Sequence, residues 1–282
     1  MIEPVLSGEA FLRDVQDARN EKDAFHLWWL GQSGYLVQWR GHHLLLDPYL
    51  SDSLTRKYAG TNKPHTRLTS LVIAPERLDF IDVVTSSHNH TDHLDAETLN
   101  PLREVNPGLR LIIPEANRAF VTERLGCDPA WPLGLDDRES VTVDEFTFTG
   151  IAAAHENVDR DGQGRCRYLG YVVRFGPWTI YHAGDTVRYE GMVERLKDQR
   201  IDVALLPING RDPARGVPGN LDGPEAAALA KAIGARRVIP GHYEMFEFNT
   251  VPPGAFIAAA ERLNQPWQVL RCGERWSNTA LS

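Results

Sequence analysis

The stretch that decides the fold is Ser86-Ser87-His88-Asn89-His90-Thr91-Asp92-His93-Leu94-Asp95, which follows directly on the apolar run Ile81-Asp82-Val83-Val84. It packs three imidazoles and a carboxylate into the six residues from His88 to His93. Imidazole nitrogen and carboxylate oxygen are borderline-to-hard ligands suited to Zn, Mn or Fe. In a turn, the alternation of positions presents His88 and His90 to one ion and Asp92 and His93 to a neighbouring one. A solvated polar loop explains an isolated pair of histidines well, but explains this density poorly.

Outward from the cluster, the chain alternates between two patterns. Upstream, Phe25 to Leu30, Tyr35 to Trp39 and His43 to Leu46 are short aromatic or aliphatic segments separated by Gly31, Gly34 and Gly41, which predicts consecutive strands with tight turns. Before them, residues 7–22 set Phe11, Leu12 and Val15 among charges, as in a short amphipathic lead-in helix. Downstream, buried strand alternates with helix: after Ile81–Ser87 come a helix from Asp95 to Val105, a strand at Leu109–Glu115, and a helix ending at Gly126. Strand patterning returns at Val141–Ala153, and again at Tyr168–Gly184 as a hairpin turning at Gly176-Pro177. The last third predicts the strand Ile201–Ile208 and a helix opening at Pro224, with Asp222 and Glu225 in capping-box spacing. Then follow the strand Arg236–Gly241, the helix Pro252–Leu263 and the strand Trp267–Cys272. Two strand-rich blocks, each followed by strand-helix alternation, predict an α/β architecture of two packed sheets with helices outside, a single domain over residues 1–282.

Three further positions lie where a predicted strand has just ended. His155 follows Phe146–Ala154, Asp185 sits in the turn Ala183-Gly184-Asp185-Thr186, and His242 follows Val238-Ile239-Pro240-Gly241. Each alone reads as well as a structural residue or an ordinary turn. In order with the cluster, they are candidate partners for it.

Composition narrows the partners. The 38 acidic and 30 basic residues give a formal charge of −8, which argues against a broad nucleic-acid surface and leaves room for a small substrate held by a few local cations. Cys127, Cys166 and Cys272 are odd in number and lack a Cys-x-x-Cys pair, as expected of reduced thiols in the cytoplasm. The first residues contain no apolar signal-like core, and no run approaches the length of a membrane span.

The ordered set of His-x-His-x-Asp-His, a later His, a Gly-Asp turn and a final His resembles the metallo-β-lactamase superfamily from about residue 25 to residue 250. The resemblance implies an αββα sandwich in which His88, His90 and His155 hold one divalent ion, Asp92, His93 and His242 hold a second, and Asp185 bridges. Zn or Mn, with Fe as a third choice, would be the metal. Trp28-Trp29-Leu30-Gly31-Gln32-Ser33-Gly34, His93-Leu94-Asp95, Tyr181-His182-Ala183-Gly184-Asp185, Ile201–Leu205 and Asn209–Gly216 are similar to the ascorbate-6-phosphate lactonase family. Ser87–Asp95, Phe175–Thr186 and Leu205–Ile208 also resemble the N-acyl phosphatidylethanolamine phospholipase D branch. The function implied is hydrolysis by a metal-held hydroxide. The expected substrate is a lactone or cyclic ester of a sugar-like, optionally phosphorylated acid, with a phosphodiester as the alternative. A non-catalytic metal-binding scaffold or sensor is the alternative of another class, and self-association into a homo-oligomer is a further implication.

Within that reading Asp92 is the candidate for proton transfer, because one carboxylate oxygen stays free when the other binds metal. Asp95 is placed either to take a ligand imidazole's N–H or to cap the following helix. Arg211 and Arg215 are either a fork for a substrate anion or solvated loop charges. Tyr243 and Glu244 are candidates near a leaving group. Trp28 and Trp29 point to opposite faces of a strand and read as core. Residues 51–70, with Arg56, Lys57, Tyr58, Lys63 and His65, form a long polar connection that is a candidate lid.

Overall fold

The short apolar segments assemble into two sheets. In the computed structural model, which describes residues 1–281, β1 (Phe25–Gly31), β2 (Gly34–Trp39) and β3 (His42–Leu46) form an antiparallel meander. β4 (Val83–Thr85), β5 (Arg110–Pro114) and β6 (Pro132–Leu135) extend it with parallel pairings. A second sheet begins with β7 (Ser140–Val143), β8 (Phe146–Ala152), β9 (Leu169–Phe175) and β10 (Trp178–His182), all antiparallel, and continues with β11 (Val203–Pro207) and β12 (Arg237–Gly241), both parallel. β13 (Arg275–Ser277) returns to pair with β1. The sheets are therefore seven-stranded, in the order β13-β1-β2-β3-β4-β5-β6, and six-stranded, in the order β12-β11-β10-β9-β8-β7.

The sheets pack face to face through large side chains. Phe175 of β9 meets Phe25 of β1 edge-on at 5.3 Å and Trp39 of β2 at 5.9 Å. All seven residues of β1 and all five of β11 are buried, as expected for strands covered on both sides. Helices α1 (Gly8–Ala18), α2 (Ser53–Lys57), α3 (Ala96–Val105), α4 (Arg118–Leu125), α5 (Met192–Leu196), α6 (Gly223–Ala232) and α7 (Gly254–Arg262) flank this αββα sandwich. Among the described residues no helix is long and apolar enough to cross a membrane. Trp28 and Trp29 are both core residues, Trp28 donating from Nε1 to Asp14 and Trp29 to the Gln32 carbonyl.

The structure departs from the sequence reading in several places, and β6 and α5 lie where no element was expected. The lead-in helix is shorter than residues 7–22, running over Gly8–Ala18 and burying Phe11, Val15 and Ala18. Trp267–Cys272 is not a strand: it makes one isolated bridge, Trp267 to Val238, and then crosses to the other sheet. There the Gly273 amide donates to the Trp29 carbonyl and the chain pairs as β13. Residues 51–70 contain the one-turn helix α2.

What matters for function is where strands end. β3 and β4 run parallel within the first sheet, as do β10, β11 and β12 within the second, so their carboxyl ends share an edge. That edge is where open α/β sheets place their ligands.

α6 starts with the capping box its sequence predicted. The Asp222 carboxylate accepts from the Glu225 amide at 2.8 Å, and the Glu225 carboxylate accepts from the Asp222 amide at 3.0 Å. Asp222→Ala should lower stability by about 1 kcal/mol, read as a lower urea midpoint at unchanged m-value.

Candidate metal centre

The turn after β4 is organised by a carboxylate that arrives from the end of β3. Asp47 is fully buried, and its Oδ1 accepts from Thr85 Oγ1 at 2.8 Å and from the Ser87 amide at 3.0 Å. Its Oδ2 accepts from Ser87 Oγ and, at 2.7 Å, from His93 Nδ1. With the His93 proton held on Nδ1, the Nε2 lone pair is left to the interior of the site. His155 is fixed in the same way: its Nδ1 lies 2.9 Å from the Gly219 carbonyl, which can only accept, so Nε2 is free. His88 Nδ1 sits 2.9 Å from Ser87 Oγ.

The second sheet brings the remaining groups. Asp185 follows β10 through Gly184, whose φ is +59° and whose Cβ, were there one, would meet Ser87 at 2.6 Å. A glycine is thus required there both by conformation and by close approach. His242 follows β12 at φ +62°, a region few side chains occupy, and its amide donates to the Gln32 carbonyl at 2.8 Å.

All seven predicted ligands converge. Asp185 Oδ1 lies 3.3 Å from His93 Nε2, and its Oδ2 lies 3.4 Å from His242 Nε2 and 3.6 Å from His155 Nε2. Asp92 Oδ2 is 3.7 Å from both His93 Nε2 and His242 Nε2. The His88 ring centroid is 4.1 Å from that of His93 and 4.6 Å from that of His90. The donor atoms of His88, His90, His155 and Asp185 lie within 4.8 Å of one another, and so do those of Asp92, His93 and His242. Within this array His88 Nε2, His93 Nε2 and Asp185 Oδ1 are buried without a hydrogen-bond partner among the described residues. Buried polar atoms normally have partners; several orphaned lone pairs aimed at one another form a donor set that fits divalent cations.

The electrostatics agree with that fit. Burial, together with the neighbouring His93 and His90 rings, holds the His88 imidazole well below its ordinary pKa. Burial also opposes charge on His93, but Asp185, Asp92 and Asp47 outweigh it and raise that ring well above its usual value. Burial would raise Asp185, yet His242 and His93 hold it well below the normal carboxylate range. The array thus keeps anionic oxygens and a proton that a cation would displace.

The residues proposed around the ligands fared differently. Asp95 stands at the N-cap position of α3, but its carboxylate accepts from Ser51 Oγ and Thr98 Oγ1, each at 2.6 Å, and touches no imidazole; Asp47 takes that role. Arg211 pairs with Glu225, and Arg215 donates to the Asn209 carbonyl at 2.6 Å, so they form no fork over the site. Tyr243 is buried against Trp29, ring centroids 4.3 Å apart, with its hydroxyl donating to the Leu270 carbonyl, and Glu244 bonds Thr250 through its amide. Sequence reading missed Gln32, which is buried at φ +50° and donates from Nε2 to Asp92 Oδ2 at 2.7 Å. The turn Gly31-Gln32-Ser33-Gly34, a polar pair between glycines inside an apolar block, was the available signal.

A cavity of about 350 Å³ opens over the ligands, with His90, Asp92, His155, Asp185 and His242 among its lining residues. Lys57, Tyr58, Lys63 and His65 from the 51–70 segment line it, as do Phe246 and Phe248.

The family described as beta-lactamase superfamily domain matches residues 26–242. The chain is 25% identical over 272 residues to the N-acyl-phosphatidylethanolamine-hydrolyzing phospholipase D, mitochondrial, of Saccharomyces cerevisiae, covering 93% of this chain but only 54% of that one. The chain therefore spans about half the length of this relative. It is 32% identical over 170 residues to a UPF0173 metal-dependent hydrolase of Methanoculleus marisnigri, covering 58% of this chain and 67% of the relative. Among solved structures, the metallo hydrolase Igni18 of Ignicoccus hospitalis superposes with a TM-score of 0.66 at 21% identity, covering 90% of this chain and 98% of that one.

The matched region begins at the strand leading to Gln32 and ends on His242, so it contains every residue of the array. Asp47, which organises that array without joining it, should be separable from it by mutation. Asp47→Asn is expected to keep the fold and weaken metal binding by about 10- to 100-fold, measured by competition with a chromogenic chelator. Matched from its first sheet to its final His, and carrying the donor array at the shared edge of two packed sheets, the chain belongs to the beta-lactamase superfamily as one of its metal-dependent hydrolases.

Proposed function

We propose that this hydrolase opens a lactone or similar cyclic ester of a small, sugar-like acid, with or without a phosphate. The observation that carries the reading is the cavity. At about 350 Å³ it suits a small molecule, and apart from Asp92 and Asp185 the charged side chains lining it are the cations Lys57, Lys63 and Arg124, with histidines. That lining favours a polar anion over the acyl chains of a lipid.

Two divalent cations, Zn or Mn with Fe as a further fit, held by His88, His90 and His155 on one side and by Asp92, His93 and His242 on the other with Asp185 between them, would polarise the oxygen of the cleaved bond and acidify a water. The protein's part is orientation and proton handling. Gln32 holds Asp92 Oδ2, while Oδ1 has no hydrogen-bond partner among the described residues. Burial pushes the Asp92 carboxyl up, but His93 and His242 outweigh it and hold it below its ordinary value, so it is ionised at neutral pH and its second oxygen is an acceptor facing the reacting water in this proposal. The 51–70 segment is the proposed lid, supported by Lys63, whose Nζ reaches across to donate to the Gly216 carbonyl at 2.6 Å.

A second reading, phosphodiester hydrolysis, is favoured by the match to the yeast relative along nearly the whole of this chain. Protein loaded with Zn or Mn should open members of a lactone panel faster than it cleaves bis-(p-nitrophenyl) phosphate; the reverse order selects the phosphodiesterase. His88→Ala and Asp185→Asn should each lose more than the ~100-fold typical of removing a ligand's supporting partner, with far-UV circular dichroism retained. Chelation should abolish turnover and readdition of metal restore it; unchanged activity in any of these would sink the assignment.

A further inference from the structure

His65 lines the same cavity as the metal array and is held by residues of the 51–70 segment together with Phe246 and Phe248. Its carbonyl accepts from Thr55 Oγ1 at 2.7 Å. Its ring stacks on Tyr58 at 4.3 Å and 20°, and meets Phe248 at 4.6 Å and Phe246 at 5.1 Å, both edge-on. Nδ1 lies 3.0 Å from the Lys63 carbonyl. A carbonyl only accepts, so the proton of the neutral ring sits on Nδ1 and Nε2 carries the lone pair. Burial lowers the pKa of this ring below its ordinary value, which keeps it neutral near pH 7. Nε2 has no hydrogen-bond partner among the described residues, and the residue shares its cavity with Asp92, Asp185 and His242.

We propose that His65 is a specificity-determining residue, a hydrogen-bond acceptor fixed at the cavity wall that selects substrates presenting a hydroxyl group to Nε2. This rests on the hydrolase reading above and deepens it: the substrate class is a hydroxylated cyclic ester rather than a purely alkyl one. A substrate that fills the cavity excludes solvent from Nε2. If it brings a hydroxyl, the acceptor is satisfied; if it brings only methylenes, the acceptor is stranded and binding suffers. The ring contacts with Tyr58, Phe246 and Phe248, together with the Nδ1 contact to the Lys63 carbonyl, hold the half-buried ring in one orientation.

The test compares Zn-loaded wild type with His65→Phe, which keeps a ring among Tyr58, Phe246 and Phe248 but removes the acceptor. With D-glucono-1,5-lactone, KM should rise at least about tenfold more than it does with δ-valerolactone, so that the preference of kcat/KM for the hydroxylated lactone falls by about that factor. Equal losses on both lactones, or no change on either, overturn the proposal. An activity-independent readout uses wild type labelled with 15N-histidine. The Nε2 resonance of His65 should report the Nδ1–H tautomer, and should shift on titration with D-gluconate but not with valerate. If the variant fails to fold, or if wild type opens neither lactone and the lactone reading above falls, this titration still decides: a shift with gluconate alone upholds the assignment, and an unmoved Nε2 overturns it.

Discussion

The hydrogen bonds of one buried carboxylate underlie the site. Asp47 ends β3, yet its two oxygens serve Thr85, Ser87 and His93, all at or beyond the end of β4. An ionised carboxylate in the interior is costly unless its lone pairs are filled, and here four donors fill them. The His93 and His182 rings and the Ser87 hydroxyl hold its pKa below the usual range against the opposing effect of burial. The same contacts set the path of the chain from Thr85 to His93, fix one imidazole tautomer directly and, through Ser87 Oγ, orient His88. Without this anchor the ligand cluster would be a polar loop.

The backbone around the array is held away from its preferences. Gln32, Asp47 and His242 all have positive φ, at 50°, 39° and 62°. Each such position costs of the order of 1–3 kcal/mol and persists only where surrounding structure over-determines it. The over-determination is visible: the Gln32 carbonyl receives both the His242 amide and Trp29 Nε1, and Tyr35 donates to the Pro240 carbonyl beside them. Core packing between the sheets thus pays for conformations that aim side chains at the edge.

Much of this was legible in the sequence because the ligands belong to short turns after apolar strands, and strand ends are local features. The seven residues that cluster were candidates by residue type, order and position, with their grouping implied by the family resemblance, and the capping box of α6 and the C-terminal glycine of α4 follow from local rules. What stayed illegible was tertiary. The partner of His93 Nδ1 is 46 residues away, at the end of a strand whose parallel pairing with β4 no local pattern reveals, so the nearer Asp95 looked equally apt. Arg211 and Arg215 sit in a Gly- and Pro-rich loop near the site, but whether a loop cation faces a substrate or a neighbouring carboxylate depends on the fold of the loop, and Arg211 found Glu225. Trp267–Cys272 has the composition of a strand and occupies the wrong sheet's border; the chain saves its pairing for Arg275–Ser277, beside β1.

The two donor groups draw on both layers of the sandwich. His88, His90, Asp92 and His93 come from the turn after β4, while His155, Asp185 and His242 come from the ends of β8, β10 and β12. A bound cation is therefore a cross-link between segments remote in the chain, and in the unfolded ensemble those segments would have to be gathered against the entropy of very long loops. Binding to the folded state alone couples the two sheets into one cooperative unit. A cation held by this array would tie the two sheets together along their shared edge, and would then serve the fold mechanically as well as chemically.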